Sequence, residues 1–105
     1  MIYVGFLEIK LGKKPEDVTK KWTAAVKAWK KNHPDCGTWR LYGRVMGVGP
    51  KPMYMAILEI PGSSVLDEYS KSYLNNPELR KIEDDWREMI DEFQASIMEL
   101  LSEVK

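Results

Sequence analysis

Charged side chains interrupt three strand-like apolar runs in this sequence. Glu8 lies inside Ile2–Lys10 and Glu59 inside Met53–Ile60, while Arg40, Tyr42 and Arg44 share one face of Thr38–Met46. A carboxylate beside an arginine makes a charge-assisted pair that can hold an acidic or phenolic ligand. Glu8, Arg40, Tyr42, Arg44 and Glu59 are therefore the candidate ligand-binding residues. The competing expectation is that Arg and Glu on edge strands simply cross-pair at the rim of a sheet. His33 is the sole histidine, the residue type that titrates near neutrality. With Tyr42 and Arg40 it completes the candidate catalytic set, two acid–base groups and one cation to stabilise an anion. Its place before Pro34, at the end of a helical pattern, suggests instead a structural role beside the negative end of the helix dipole.

Cys36 is the only cysteine, which excludes an intramolecular disulfide and a cysteine-based zinc cluster. One His and one Cys do not make a metal site, and their spacing gives no reason to expect a Cys–His nucleophilic pair. Gly47-Val48-Gly49-Pro50 lacks the Lys-Ser/Thr of a phosphate loop and lies between strands rather than before a helix. Neither a metal nor a cofactor is expected. Sixteen basic residues balance sixteen acidic ones, so no global field draws the chain to nucleic acid or anionic lipid. Tyr42 and Tyr54 interleaved with Arg40 and Arg44 would suit base stacking, but the neutral charge opposes a nucleic-acid partner. Lys20, Lys21, Lys27, Lys30 and Lys31 read as the solvated face of a helix. No leader is expected ahead of the first strand, and no stretch approaches the roughly 20 apolar residues of a membrane span. A cytoplasmic location fits, and scarce Gln and Asn beside abundant Lys and Glu lean toward a thermophilic source.

A frame must hold these groups. At 105 residues, 44% hydrophobic and 30% charged, the chain is expected to form one domain, 1–105. Pro15 opens a helix whose Val18, Trp22, Ala25, Val26 and Trp29 recur at helical spacing. Gly47–Pro52 reads as the hairpin loop between the second and third strands. Ser63 or Ser64 caps a short helix with Val65, Leu66, Tyr69 and Tyr73 on one side, and Asn76-Pro77 starts another. From Leu79 to Val104 the apolar residues hold a helical stripe, and the lack of Gly or Pro favours a single helix. Such a helix would be roughly 40 Å long, more than a compact chain of this size accommodates. The alternative is a break with a short final strand at Ser96–Leu101.

The order predicts an α+β, ferredoxin-like βαββα(α)(β) fold, an antiparallel sheet with helices on one face. Both faces of the strands are apolar: Met53, Met55 and Ile57 alternate with Tyr54, Leu58 and Ile60. The face without helices therefore needs a cover, and a second copy of the chain is the simplest one. Tyr54 and Leu58 are the residues expected at that homodimer interface.

The opening strand followed by Leu11-Gly12-Lys13-Lys14-Pro15-Glu16, the hairpin around Gly47-Val48-Gly49, and Asn75-Asn76-Pro77-Glu78-Leu79 leading to Trp86 carry a resemblance over nearly the whole chain. It resembles the dimeric α+β barrel superfamily, which includes NIPSNAP-type, EthD-type, stress-responsive barrel and antibiotic-biosynthesis monooxygenase-type proteins. The resemblance implies a cavity between helices and sheet, activities ranging from oxygenation to cyclisation to none known, and a fourth strand where this chain shows a helical stripe. None of the matching stretches is a catalytic signature. Three functions follow as expectations: a homodimer whose cavity takes a small apolar or aromatic ligand, a cofactor-independent monooxygenase or cyclase, or a module that assembles through a long C-terminal helix.

Overall fold

The computed structural model describes residues 1–45, 47 and 53–105, with the backbone alone at 92 and 93. Its elements run β1 (Ile2–Ile9), α1 (Pro15–Asn32), β2 (Trp39–Gly43), β3 (Met53–Glu59), α2 (Ser64–Asn75), α3 (Pro77–Arg87) and β4 (Ile90–Met98). The strands form one sheet in the order β2-β3-β1-β4, each neighbouring pair antiparallel. This is the α+β, ferredoxin-like arrangement expected. The hairpin loop expected over Gly47–Pro52 lies, apart from Gly47, outside the described residues, as does Met46 of the expected second strand.

Local chemistry sets the helix ends. Pro15 takes the first position of α1, Glu16 and Asp17 stand at the positive end of its dipole, and Lys30 and Lys31 stand at the negative end. The His33 N–H closes α1 on the Trp29 carbonyl at 2.8 Å. Asn76 caps α3 by accepting from the Leu79 N–H at 3.1 Å. Leu79, Glu83 and Trp86 then fall on the buried face of α3.

Helices α1, α2 and α3 cover one face of the sheet. Leu7, Ala56 and Ile90 pack with Ala25 of α1 and Trp86 of α3, while Leu58 and Ile60 pack with Trp29, Tyr69 and Leu79. Leu58 is completely buried there, and Tyr54 packs against the same layer. The expectation that Tyr54 and Leu58 face a second copy is thus corrected. Strand alternation sends them to the helices and sends Met53, Met55 and Ile57 to the open side. On that side they join Ile2, Val4 and Phe6 of β1 and Tyr42 of β2. Phe6, Tyr42 and Met53 are exposed.

The expected single helix from Pro77 to Val104 is also corrected: α3 stops at Arg87 and β4 pairs with β1 from Ile90 onward. The alternative strand at Ser96–Leu101 was placed too late. The register explains why the sequence misled. Ile9 pairs with Ile90 but Glu8 pairs with Glu92, so the ladder steps over Asp91 in a bulge. After the bulge, Phe93, Ala95 and Ile97 stand opposite Leu7, Gly5 and Tyr3. A bulged strand therefore reproduced the apolar spacing of a helix, and pairing along β1 outweighed helix propensity. Residues 99–105 follow β4 without regular structure, so the reading of an assembly module built on a long C-terminal helix loses its helix. Among the described residues no helix is long and apolar enough to cross a membrane.

Candidate functional site

A cavity of about 580 Å³ lies between the helices and the covered face of the sheet. That is within the usual range for small-molecule sites, roughly 300–1,000 Å³. Its wall comes from β1 (Tyr3), α1 (Trp22, Trp29), β2 (Trp39), α2 (Tyr69, Tyr73) and α3 (Trp86), with Ala25, Ala56 and Leu58 at its back. All four tryptophans of the chain and three of its five tyrosines thus line one space. Their rings brace one another: Tyr69 lies 5.1 Å from Trp29 and 6.2 Å from Trp39, centroid to centroid. Leu74 and Arg87, both well exposed, mark the mouth.

Several polar groups of the wall are already engaged. Glu83, 8% exposed, accepts from Trp29 Nε1 at 3.0 Å through Oε2 and from Arg87 Nε at 3.0 Å through Oε1. Burial raises the Tyr3 phenol above its ordinary value, with Arg87 opposing and Glu83 adding to the shift. The Tyr73 hydroxyl donates to Asp84 Oδ1 at 2.6 Å. Trp39 Nε1 is buried with no hydrogen-bond partner among the described residues.

The residues singled out from the sequence lie elsewhere. Arg40 and Glu59 meet on the open face of the sheet, Nη1 to Oε1 at 2.8 Å, half exposed. Such a surface pair adds little stability. Glu8 and Tyr42 belong to the same open face, and Arg44 follows β2, its N–H on the Met53 carbonyl. His33 packs against Trp29 and Tyr69, with Nε2 2.7 Å from Ser72 Oγ, pinning the end of α1 to α2. None of these six residues lines the cavity. The carboxylate–arginine pair anticipated for a ligand site does occur, but as Glu83–Arg87 on α3. The signal for it was a carboxylate set between Leu79 and Trp86 in an apolar helical stripe, with Arg87 four residues on.

Tyr69 supplies a pH test of this wall. Its hydroxyl is buried with no hydrogen-bond partner among the described residues, and burial pushes its phenol far above 10.0, with Cys36 adding to the shift. A phenol that ionises later when folded than when unfolded stabilises fully below pH about 10 and loses that contribution as pH climbs toward the folded value. Denaturant melts should therefore show wild-type stability falling above pH 10, and a shallower fall for Tyr69→Phe. Parallel declines would rule Tyr69 out as a source of the loss.

No protein-family model matches the chain, and no curated protein matches it in sequence. Solved structures do match in shape. An Arabidopsis thaliana protein superposes over the whole of both chains with a TM-score of 0.71 at 10% identity. A dimeric ferredoxin-like protein of unknown function from Thermobifida fusca gives a TM-score of 0.63 at 12% identity, over 90% of this chain and 85% of that one. SnoaB, a cofactor-independent oxygenase from Streptomyces nogalater, gives 0.60 at 13% identity over 97% and 96%. The fold is the ferredoxin-like one of these neighbours. At such low identity the likeness speaks for the architecture, and function has to be argued from the cavity.

Proposed function

We propose that the protein is a small cytosolic homodimer that binds a small apolar or aromatic molecule in the cavity of each protomer. The observation that carries this reading is the gathering of all four tryptophans around one space of about 580 Å³. A sheet face that bears Phe6, Met53, Met55 and Ile57, with no helix among the described residues over it, supports the dimer, as does the dimeric state of the Thermobifida fusca neighbour. The same tryptophans report on occupancy. Titration with 2-naphthol should quench their emission saturably, and ligand at about 100 times Kd should add roughly 2.7 kcal/mol of stability. In a domain of this size that raises the melting temperature by on the order of 10 °C. Purely collisional quenching without a thermal shift would sink the reading.

A second reading is a cofactor-independent oxygenase, like the SnoaB neighbour. Glu83 favours it, since a buried carboxylate in the same wall as Tyr3 can accept a proton from a substrate. Oxygen uptake that begins on adding a hydroxylated aromatic and weakens in Glu83→Gln would support turnover. Binding without oxygen uptake would leave the protein a binder.

A further inference from the structure

We infer that the cavity is built for a compact organic cation, a tertiary or quaternary ammonium on an apolar body, with Glu83 as its counter-charge. The inference rests on the cavity reading above and narrows it. The faces of aromatic rings are electron-rich, and cages of such rings capture ammonium groups. Here four tryptophans and three tyrosines supply the rings. Among the described residues, the ionisable side chains of the wall apart from the tyrosines are Glu83 and Arg87. Their exposures differ: 11% for the Glu83 side chain against 53% for that of Arg87. The acid is therefore inside, its basic partner stands half in water, and the inner end of the pair is negative. Charge interactions are stronger in such a poorly solvated space than in water.

The carboxylate is also held in place. Trp29 Nε1 fixes Oε2 from the wall and Arg87 Nε fixes Oε1 from the mouth side. A quaternary ammonium has no N–H and needs no hydrogen bond, so Glu83 keeps both contacts while its charge acts across the cavity. A neutral aromatic would fill the rings but gain nothing from that charge, and an anion would meet repulsion from it.

The test compares benzyltrimethylammonium with neopentylbenzene, its neutral isostere in which carbon replaces nitrogen, by tryptophan quenching at low salt. The cation should bind wild type at least about tenfold tighter. Glu83→Gln, checked for folding by circular dichroism, should reduce the preference to about two- to threefold, the share left to the rings. Arg87→Met, at the exposed mouth, should tighten the cation severalfold and leave the isostere unchanged. That variant keeps the inference falsifiable if Glu83→Gln fails to fold. Equal or tighter binding of neopentylbenzene to wild type overturns the inference and leaves the cavity reading standing. Failure of both probes to bind overturns the inference, and the cavity reading falls with it only if 2-naphthol also fails to bind; an undiminished preference in Glu83→Gln removes Glu83 from its role.

Discussion

Ile57→Asp is expected to split the proposed homodimer, raising its Kd by about a thousandfold or more. Ile57 sits mid-strand on the open face, with Val4 of β1 on one side and Arg40 of β2 on the other. Around it Phe6, Met53 and Met55 add apolar side chains to a face that no helix among the described residues covers. In a two-fold dimer the same patch meets its own copy, so one substitution places two carboxylates in the interface. The neighbouring Arg40 is already held by Glu59, and a buried charge left without its own partner costs about 3–5 kcal/mol. At roughly 1.4 kcal/mol per decade, even one such cost exceeds two decades of affinity, and two exceed four. In the monomer the new carboxylate faces water, so circular dichroism should stay that of a folded chain. Sedimentation at low micromolar concentration decides the matter. A folded variant that remains dimeric would move the interface to another surface.

The choice of Ile57 shows what the sequence could and could not supply. Alternation along Met53–Ile60 separated two apolar sets correctly, because the side-chain period of a strand is two. It did not say which set met the helices. That depends on the handedness and order of the whole sheet, and Tyr54 and Leu58 are as apolar as Met55 and Ile57. Helix starts were legible because Pro15 and the Asn76-Pro77 pair act locally. The end of α3 was not, because the bulge at Asp91 belongs to a pairing between residues some 80 positions apart.

The site was less legible still. Charges set in strands drew attention to Glu8, Glu59 and Arg40, yet those side chains stand on the face away from the helices. Glu83 hid among the many charged residues of α3, where a single acidic residue on the buried face looks like its neighbours until Trp29 arrives from α1. Trp29 and Trp86 are buried core residues, as their helical spacing suits. Convergence of all four tryptophans around one space is a tertiary fact that their spacing along the chain does not contain.

Leu58→Ala is expected to destabilise the protomer by about 3 kcal/mol while leaving the dimer intact. Leu58 is fully buried beneath Trp29, Tyr69 and Leu79, and it also forms part of the cavity wall. Burial of this degree places truncation in the usual range of 2–5 kcal/mol for Leu→Ala. The rings beside it are braced against each other and cannot collapse into the gap, which keeps the cost away from the low end. At roughly 4–8 °C per kcal/mol for a domain of this size, the melting temperature should fall by on the order of 15 °C. Ile57→Ala, one residue earlier on the opposite face, should leave the isolated protomer nearly unchanged and weaken association instead. The enlarged cavity of Leu58→Ala should also admit bulkier probes, seen as tighter quenching by 2-naphthol carrying an added alkyl group. A melting temperature within about 2 °C of wild type would mean that Leu58 does not stand between sheet and helices, and the assignment of the two faces of β3 would fall with it.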